Sequence, residues 1–223
     1  MVVTSHDKLG NTGKPTGFWL EELATPYFAL RDAGYKVVIA SPKGGKPPID
    51  PKSEEKDFVT ASSKRFNADV EAKTALESTK KLSDVDEGEF AALFYPGGHG
   101  PLWDLAEDPN SFWLIEKFSK AGKPIAAVCH GPGVFKKTPS IVKGMKVTGF
   151  TNEEEIIMKL EKVVPFLVED MLKSHGANFS KADPWQSYVV TDNNSLLITG
   201  QNPQSSEAVA KAIIKKLQFG GLF

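Results

Sequence analysis

The chain has 223 residues, 40% of them hydrophobic, enough for one sizeable α/β core. Its 27 basic and 28 acidic side chains are interspersed and leave a formal net charge of −1, which removes any electrostatic case for nucleic acid or an anionic membrane as partner. A single cysteine excludes an internal disulfide and a multi-cysteine metal site and fits a reducing compartment; with no signal-like start and no run near a membrane span, the cytoplasm is the expected location.

In chain order, residues 1–4 read as a short strand and residues 10–17 as a loop rich in Gly, Asn, Lys and Pro. Residues 18–33 read as a helix, with Trp19, Leu23, Tyr27 and Leu30 at helical spacing. A buried strand follows at 36–40, then a polar, proline-bearing stretch at 47–66 that reads as a surface excursion. An amphipathic helix is expected over 68–82 and a strand over 90–95, which runs into the loop PGGHGP at 96–101. A helix over 111–121 and a strand over 124–128 lead to Cys129. A short strand at 146–149 precedes the acidic run Glu153, Glu154, Glu155 at a helix start, and residues 166–174 are helical. Residues 187–192 and 195–199 pair as a hairpin across Asn193 and Asn194, and a last helix runs over about 203–217. This alternation predicts a largely parallel sheet covered on both faces, in one domain spanning 1–223.

The chemistry centres on Cys129. A short apolar strand delivers it, and Gly131 and Gly133 let the chain reverse tightly, as in a nucleophile elbow. A helix starting there would aim free N–H groups at the sulfur and favour the thiolate. The ordinary alternative for a lone cysteine is structural burial. The strand–Cys–His–Gly–x–Gly context at the carboxyl end of a parallel strand, where such folds bind ligands, favours the nucleophile. His130 is a candidate base, although sequence neighbours face one another only across a strained turn.

Gly98, in the loop at 96–101, is the best candidate for a backbone oxyanion donor; the loop matches neither a dinucleotide nor a phosphate motif. On a helix at 100° per residue, Glu21 points away from the apolar face centred near Leu23. Glu22 falls on its border, where partial desolvation would raise its pKa. Geometry alone favours a solvated flank position for Glu22. His6, His99 and His175 show no metal-ligand spacing and read as surface histidines.

With these residues assembled, the chain resembles the ThiJ/PfpI superfamily, which also contains the parkinsonism-associated deglycase, and within it the chaperone/glyoxalase III branch. The resemblance covers nearly the whole chain and is carried by TGFWLEELATP at 16–26, YPGGHGPLWD at 95–104, AVCHGP at 127–132, TGFTNEEE at 148–155 and DPW at 183–185. It implies a flavodoxin-like three-layer α/β/α sandwich, related to class I glutamine amidotransferases, with nucleophilic Cys129 and His130 beside it. The family's helix glutamate maps to Glu22, four residues before Pro26. The triad acid maps to Glu155, with Glu153 as runner-up, and Gly98 matches the backbone donor. The implied activity is a glyoxalase III type, converting methylglyoxal, a small dicarbonyl substrate, to lactate with no cofactor and no metal, and the implied assembly is a homodimer. Other readings within the resemblance are a holdase chaperone, a redox sensor, a deglycase and a PfpI-type peptidase. An amidotransferase fits poorly, because the last third of the chain offers only His175.

Overall fold

A computed structural model of the chain describes residues 1–194 and 196–219. The strands are β1 (Ala40–Ser41), β2 (Lys80–Lys81), β3 (Leu93–Tyr95), β4 (Ile125–Val128), β5 (Lys146–Val147), β6 (Asn178–Phe179), β7 (Val189–Asp192) and β8 (Leu197–Gly200). The helices are α1 (Leu20–Asp32), α2 (Ala61–Ala68), α3 (Val70–Glu77), α4 (Pro109–Lys120), α5 (Pro139–Val142), α6 (Asn152–Ile157), α7 (Val168–Ser174) and α8 (Ser206–Phe219). β3, β4 and β8 run parallel, and β7 closes that edge antiparallel. β1 pairs with β2, and β5 with β6, both in parallel. Residues 1–3 join β1 to β3: Val2 N–H donates to Phe94 O, and Val3 N–H to Ala40 O. The expected short first strand is thus a central one.

Period-two alternation divides the core between the two faces of this sheet. Leu93, Tyr95, Ile125 and Ala127 point to one side, where they meet Leu114, Ile115 and Phe118 of α4 and Met171 and Leu172 of α7. Phe94, Ala126, Val128 and Ile198 point to the other, against Leu30 of α1 and Val209 and Ile213 of α8. α1 also packs Leu23, Tyr27 and Phe28 against Phe66 of α2 and Leu76 of α3. The result is the expected three-layer α/β/α arrangement.

Local structure departs from the sequence expectation at three places. The helix expected over 68–82 is the shorter α3, which starts at Val70 because the Asp69 carboxylate accepts from Ala72 N–H and caps it, and which ends at Glu77 before residues 80–81 pair as β2. The stretch at 47–66 is not only a surface excursion, since Phe66 is 1% exposed and anchors α2. The chain beyond Cys129 is a 3₁₀ helix, Gly131–Lys137, rather than an α-helix; Gly131, Pro132 and Gly133 disfavour the α form. Asn193 and Asn194 do turn the hairpin, both with positive φ, while Ser195 lies outside the described residues.

Candidate active site

Register places the site. Tyr95 pairs with Ala127 and Val128 with Gly200, so the loops after β3, β4 and β8 leave the sheet side by side at its carboxyl edge. Cys129 follows β4 with φ 61, a left-handed conformation that a non-glycine residue adopts only when its surroundings impose it. Its N–H is held by Gly200 O at 2.9 Å. Any side chain at Gly131 would collide with the Tyr95 carbonyl, so glycine is required for the reversal. This strained turn is what lets neighbours in sequence meet: Cys129 Sγ lies 3.3 Å from His130 Nδ1.

Behind His130 stands Glu155. Its Oε2 is 2.6 Å from His130 Nε2, and its Oε1 is 2.7 Å from His99 Nε2. Burial alone would raise the Glu155 pKa, but His130 and His99 outweigh it and hold the carboxyl well below the usual range. A carboxylate only accepts, so each imidazole donates its Nε2–H and keeps Nδ1 as the free acceptor. Burial, and then the proximity of His99, lower the His130 pKa, which leaves the ring neutral with Nδ1 facing the sulfur. Glu153, the runner-up for this position, is exposed and faces Lys181.

Glu22 approaches the sulfur from α1. It is fully buried, not a solvated flank residue, because the loop after β3 closes over the start of the helix. Its Oε2 accepts from Gly97 N–H at 2.6 Å; the carboxyl also meets the Cys129 thiol. Desolvation raises the Glu22 pKa from 4.5 to about 8. Burial likewise pushes the Cys129 thiol well up, and an ionised Glu22 beside it adds to the shift. The expected resting thiolate is therefore corrected to a thiol with a protonated carboxyl next to it. The physical reasons are apolar packing around the sulfur and the absence of an α-helix N-terminus at the elbow. The His130 backbone N–H is the group that favours the anion.

Cys129 and His130 open onto a cavity of about 530 Å³ that Gly98, His99, Trp19, Phe58, Phe150 and Trp185 also line, with Glu22 and Glu155 behind that lining. Gly98 has φ +85, and a side chain there would collide with Gly17 O and Trp19 N, so the loop lies directly against the start of α1. Glu21, expected to face away from the core, lines the same cavity, because the segment before α2 folds over α1 and brings Thr60 to it.

His99 is the residue the sequence expectation missed. It is 5% exposed, not a surface histidine, and its ring lies 4.0 Å from that of His130, centroid to centroid. The available signal was its place in a glycine-rich loop after the strand next to the nucleophile strand. His99, His130 and Glu155 also form a group whose ligand atoms all lie within 4.8 Å, close enough to share a metal ion. Charge-assisted hydrogen bonds of 2.6 and 2.7 Å account for that closeness by themselves. His6 and His175 bond to the Lys8 and Lys136 carbonyls and do not line the cavity.

Residues 15–216 match the DJ-1/PfpI family. The chain belongs to that family. A DJ-1/PfpI relative from Saccharomyces cerevisiae, the glutathione-independent glyoxalase HSP31, is 30% identical, with 98% of this chain and 97% of that protein covered. The Rapid Encystment Protein 24 KDa of Francisella tularensis superposes with a TM-score of 0.91 at 39% identity, covering 97% of both chains. Glyoxalase III from Candida albicans superposes with a TM-score of 0.84 at 30% identity, covering 96% of this chain and 94% of that one. Among the described residues no helix is long and apolar enough to cross a membrane.

Proposed function

We propose that this DJ-1/PfpI protein is a glutathione-independent glyoxalase, converting the small dicarbonyl methylglyoxal to lactate through a covalent adduct on Cys129. The observation that carries the reading is the run Glu22, Cys129, His130, Glu155, of which Cys129 and His130 line an apolar cavity: a thiol with a carboxyl on one side and an oriented base on the other. The relatives named as glyoxalases support it over nearly their whole length.

The steps follow from the protonation states. His130 Nδ1 takes the thiol proton as sulfur adds to the aldehyde carbon, C1. Glu22, protonated at rest, gives its proton to the oxygen on C1, and the product is a hemithioacetal. Gly98, which lines the cavity beside Cys129, is the backbone donor assigned to the developing oxyanion, while the His130 N–H lies against the sulfur. Cys129 N–H is no second donor, because it is already spent on Gly200 O. Glu22, now a carboxylate, removes the hydrogen on C1 and returns it to C2, so that an internal redox exchange turns the hemithioacetal into a thioester. Water then attacks, Glu22 recovers its proton, and His130 returns one to sulfur as lactate leaves.

The test is lactate formation from methylglyoxal with neither glutathione nor metal added. Cys129→Ser is expected to lose at least about 10³-fold in kcat, and Glu22→Gln about 10²–10⁴-fold. Because Glu22 must start protonated, the wild-type rate should fall as pH rises through about 8. Activity that survives in Cys129→Ser would overturn the mechanism.

A further inference from the structure

The isomerisation moves more than the hydrogen on carbon. On going from hemithioacetal to thioester, the oxygen on C1 loses a proton and the oxygen on C2 gains one, with no net gain or loss of electrons. Glu22 is occupied with the carbon-bound hydrogen, and His130 holds the thiol proton until sulfur leaves. A further acid–base group must serve the two oxygens.

We propose that His99 is that group, a second catalytic histidine which accepts the proton leaving the C1 oxygen and delivers it to the C2 oxygen, using Nδ1. This deepens the glyoxalase reading and rests on it. Three observations support it. Glu155 holds both histidines at once, one on each oxygen, so both rings are anchored through Nε2 and both offer Nδ1. The Nδ1 of His130 is engaged by sulfur at 3.3 Å, whereas no described residue hydrogen-bonds Nδ1 of His99. His99 also lines the cavity alongside Cys129, with its ring 4.0 Å from that of His130, centroid to centroid. A structural histidine in a glycine-rich loop would need neither access to the cavity nor a shared buried carboxylate.

The division of labour is chemically economical. The two oxygens lie on adjacent carbons, so one imidazole nitrogen reaches both without leaving its anchor. His99 passes through an imidazolium that the Glu155 carboxylate stabilises and returns to the neutral ring, so the proton count closes. A carboxylate for carbon and an imidazole for oxygen is the arrangement that enediol chemistry uses in triosephosphate isomerase, a worked case of acid–base division.

The test uses His99→Gln and His99→Asn in the full-length protein, the second variant guarding against loss of fold in the first. Two readouts are taken with methylglyoxal: lactate turnover, and the covalent Cys129 adduct by intact mass. The expected result is turnover lower by about 10²–10⁴-fold with the adduct still formed and accumulating above the wild-type level, because the step after addition is slowed. Turnover within about twofold of wild type would overturn the proposal, as would parallel loss of adduct and turnover in both variants, which would reduce His99 to a support for the triad. Absence of lactate from the wild-type protein would instead sink the glyoxalase reading itself. An active wild type with indifferent His99 variants sinks only this inference.

Discussion

Glu22 couples the chemistry to stability. A carboxyl with a folded pKa of about 8 and an ordinary unfolded value of 4.5 binds its proton more tightly in the native state. Its contribution is therefore fully present below about pH 4.5 and is lost as pH rises through about 8. The span corresponds to several kcal/mol at most, on the order of 3–5. Glu22→Gln keeps the shape and removes the charge, so its unfolding midpoint in urea should fall much less than the wild-type midpoint between about pH 6 and pH 9. Equal falls in both proteins would show that Glu22 does not carry the linkage. Little of this was legible beforehand. The helical wheel placed Glu22 at the border of an apolar face, and the loop that buries it comes from residues 96–101, more than seventy positions away. His99 was obscure for the same reason: its partner Glu155 is 56 residues distant. Cys129, by contrast, was readable, because strand, nucleophile and turn glycines are contiguous.

At the scale of one element, α6 shows how a short helix positions a catalytic carboxyl. Thr151 caps it and accepts from Glu154 N–H, while Glu154 Oε2 accepts back from Thr151 N–H, a reciprocal capping box that the sequence TNEE announces. The sequence does not announce the other oxygen. Glu154 Oε1 accepts from Trp185 N–H, Gln201 and Asn202, tying the cavity wall and the end of β8 to the helix that carries Glu155. Those donors come from two separate stretches, so only the folded chain brings them together. Glu154→Ala removes one acceptor from each of Gln201 and Asn202, which keep the Ala182 and Gln186 carbonyls, and the acceptor of the half-buried Trp185 N–H, with an expected cost of about 2–4 kcal/mol and a loss of lactate turnover as Glu155 and Trp185 lose their tether. Glu153→Gln, one position away and exposed, should stay within about 0.5 kcal/mol of wild type. Urea unfolding of the two variants separates the cases; equal stability would refute the role given to Glu154.

Across the whole molecule, the parts that were legible are those with both faces buried. IAAV and LFY are short continuous apolar runs, the pattern of parallel central strands, and they predicted the layered sheet. β1 and β5 fall at the strands expected over 36–40 and 146–149 but are two residues each, and β2 and β6, equally short, carry no alternation to read; their pairing is decided by the elements around them. The same two-faced sheet separates catalysis from much of the stability. Cys129 belongs to the apolar cluster of α1 and α8, whereas Phe118 of α4, 1% exposed, packs on the opposite face. Phe118→Ala should therefore cost about 3–5 kcal/mol through lost burial and the cavity left behind. The kcat of the folded protein, measured well below its transition, should remain within about twofold of wild type. The register Tyr95–Ala127 and the elbow at Cys129 are fixed by backbone bonds that do not involve α4. A kcat that falls in step with stability would mean that packing on the far layer tunes the distance from sulfur to imidazole, and that the two faces of the sheet are not independent.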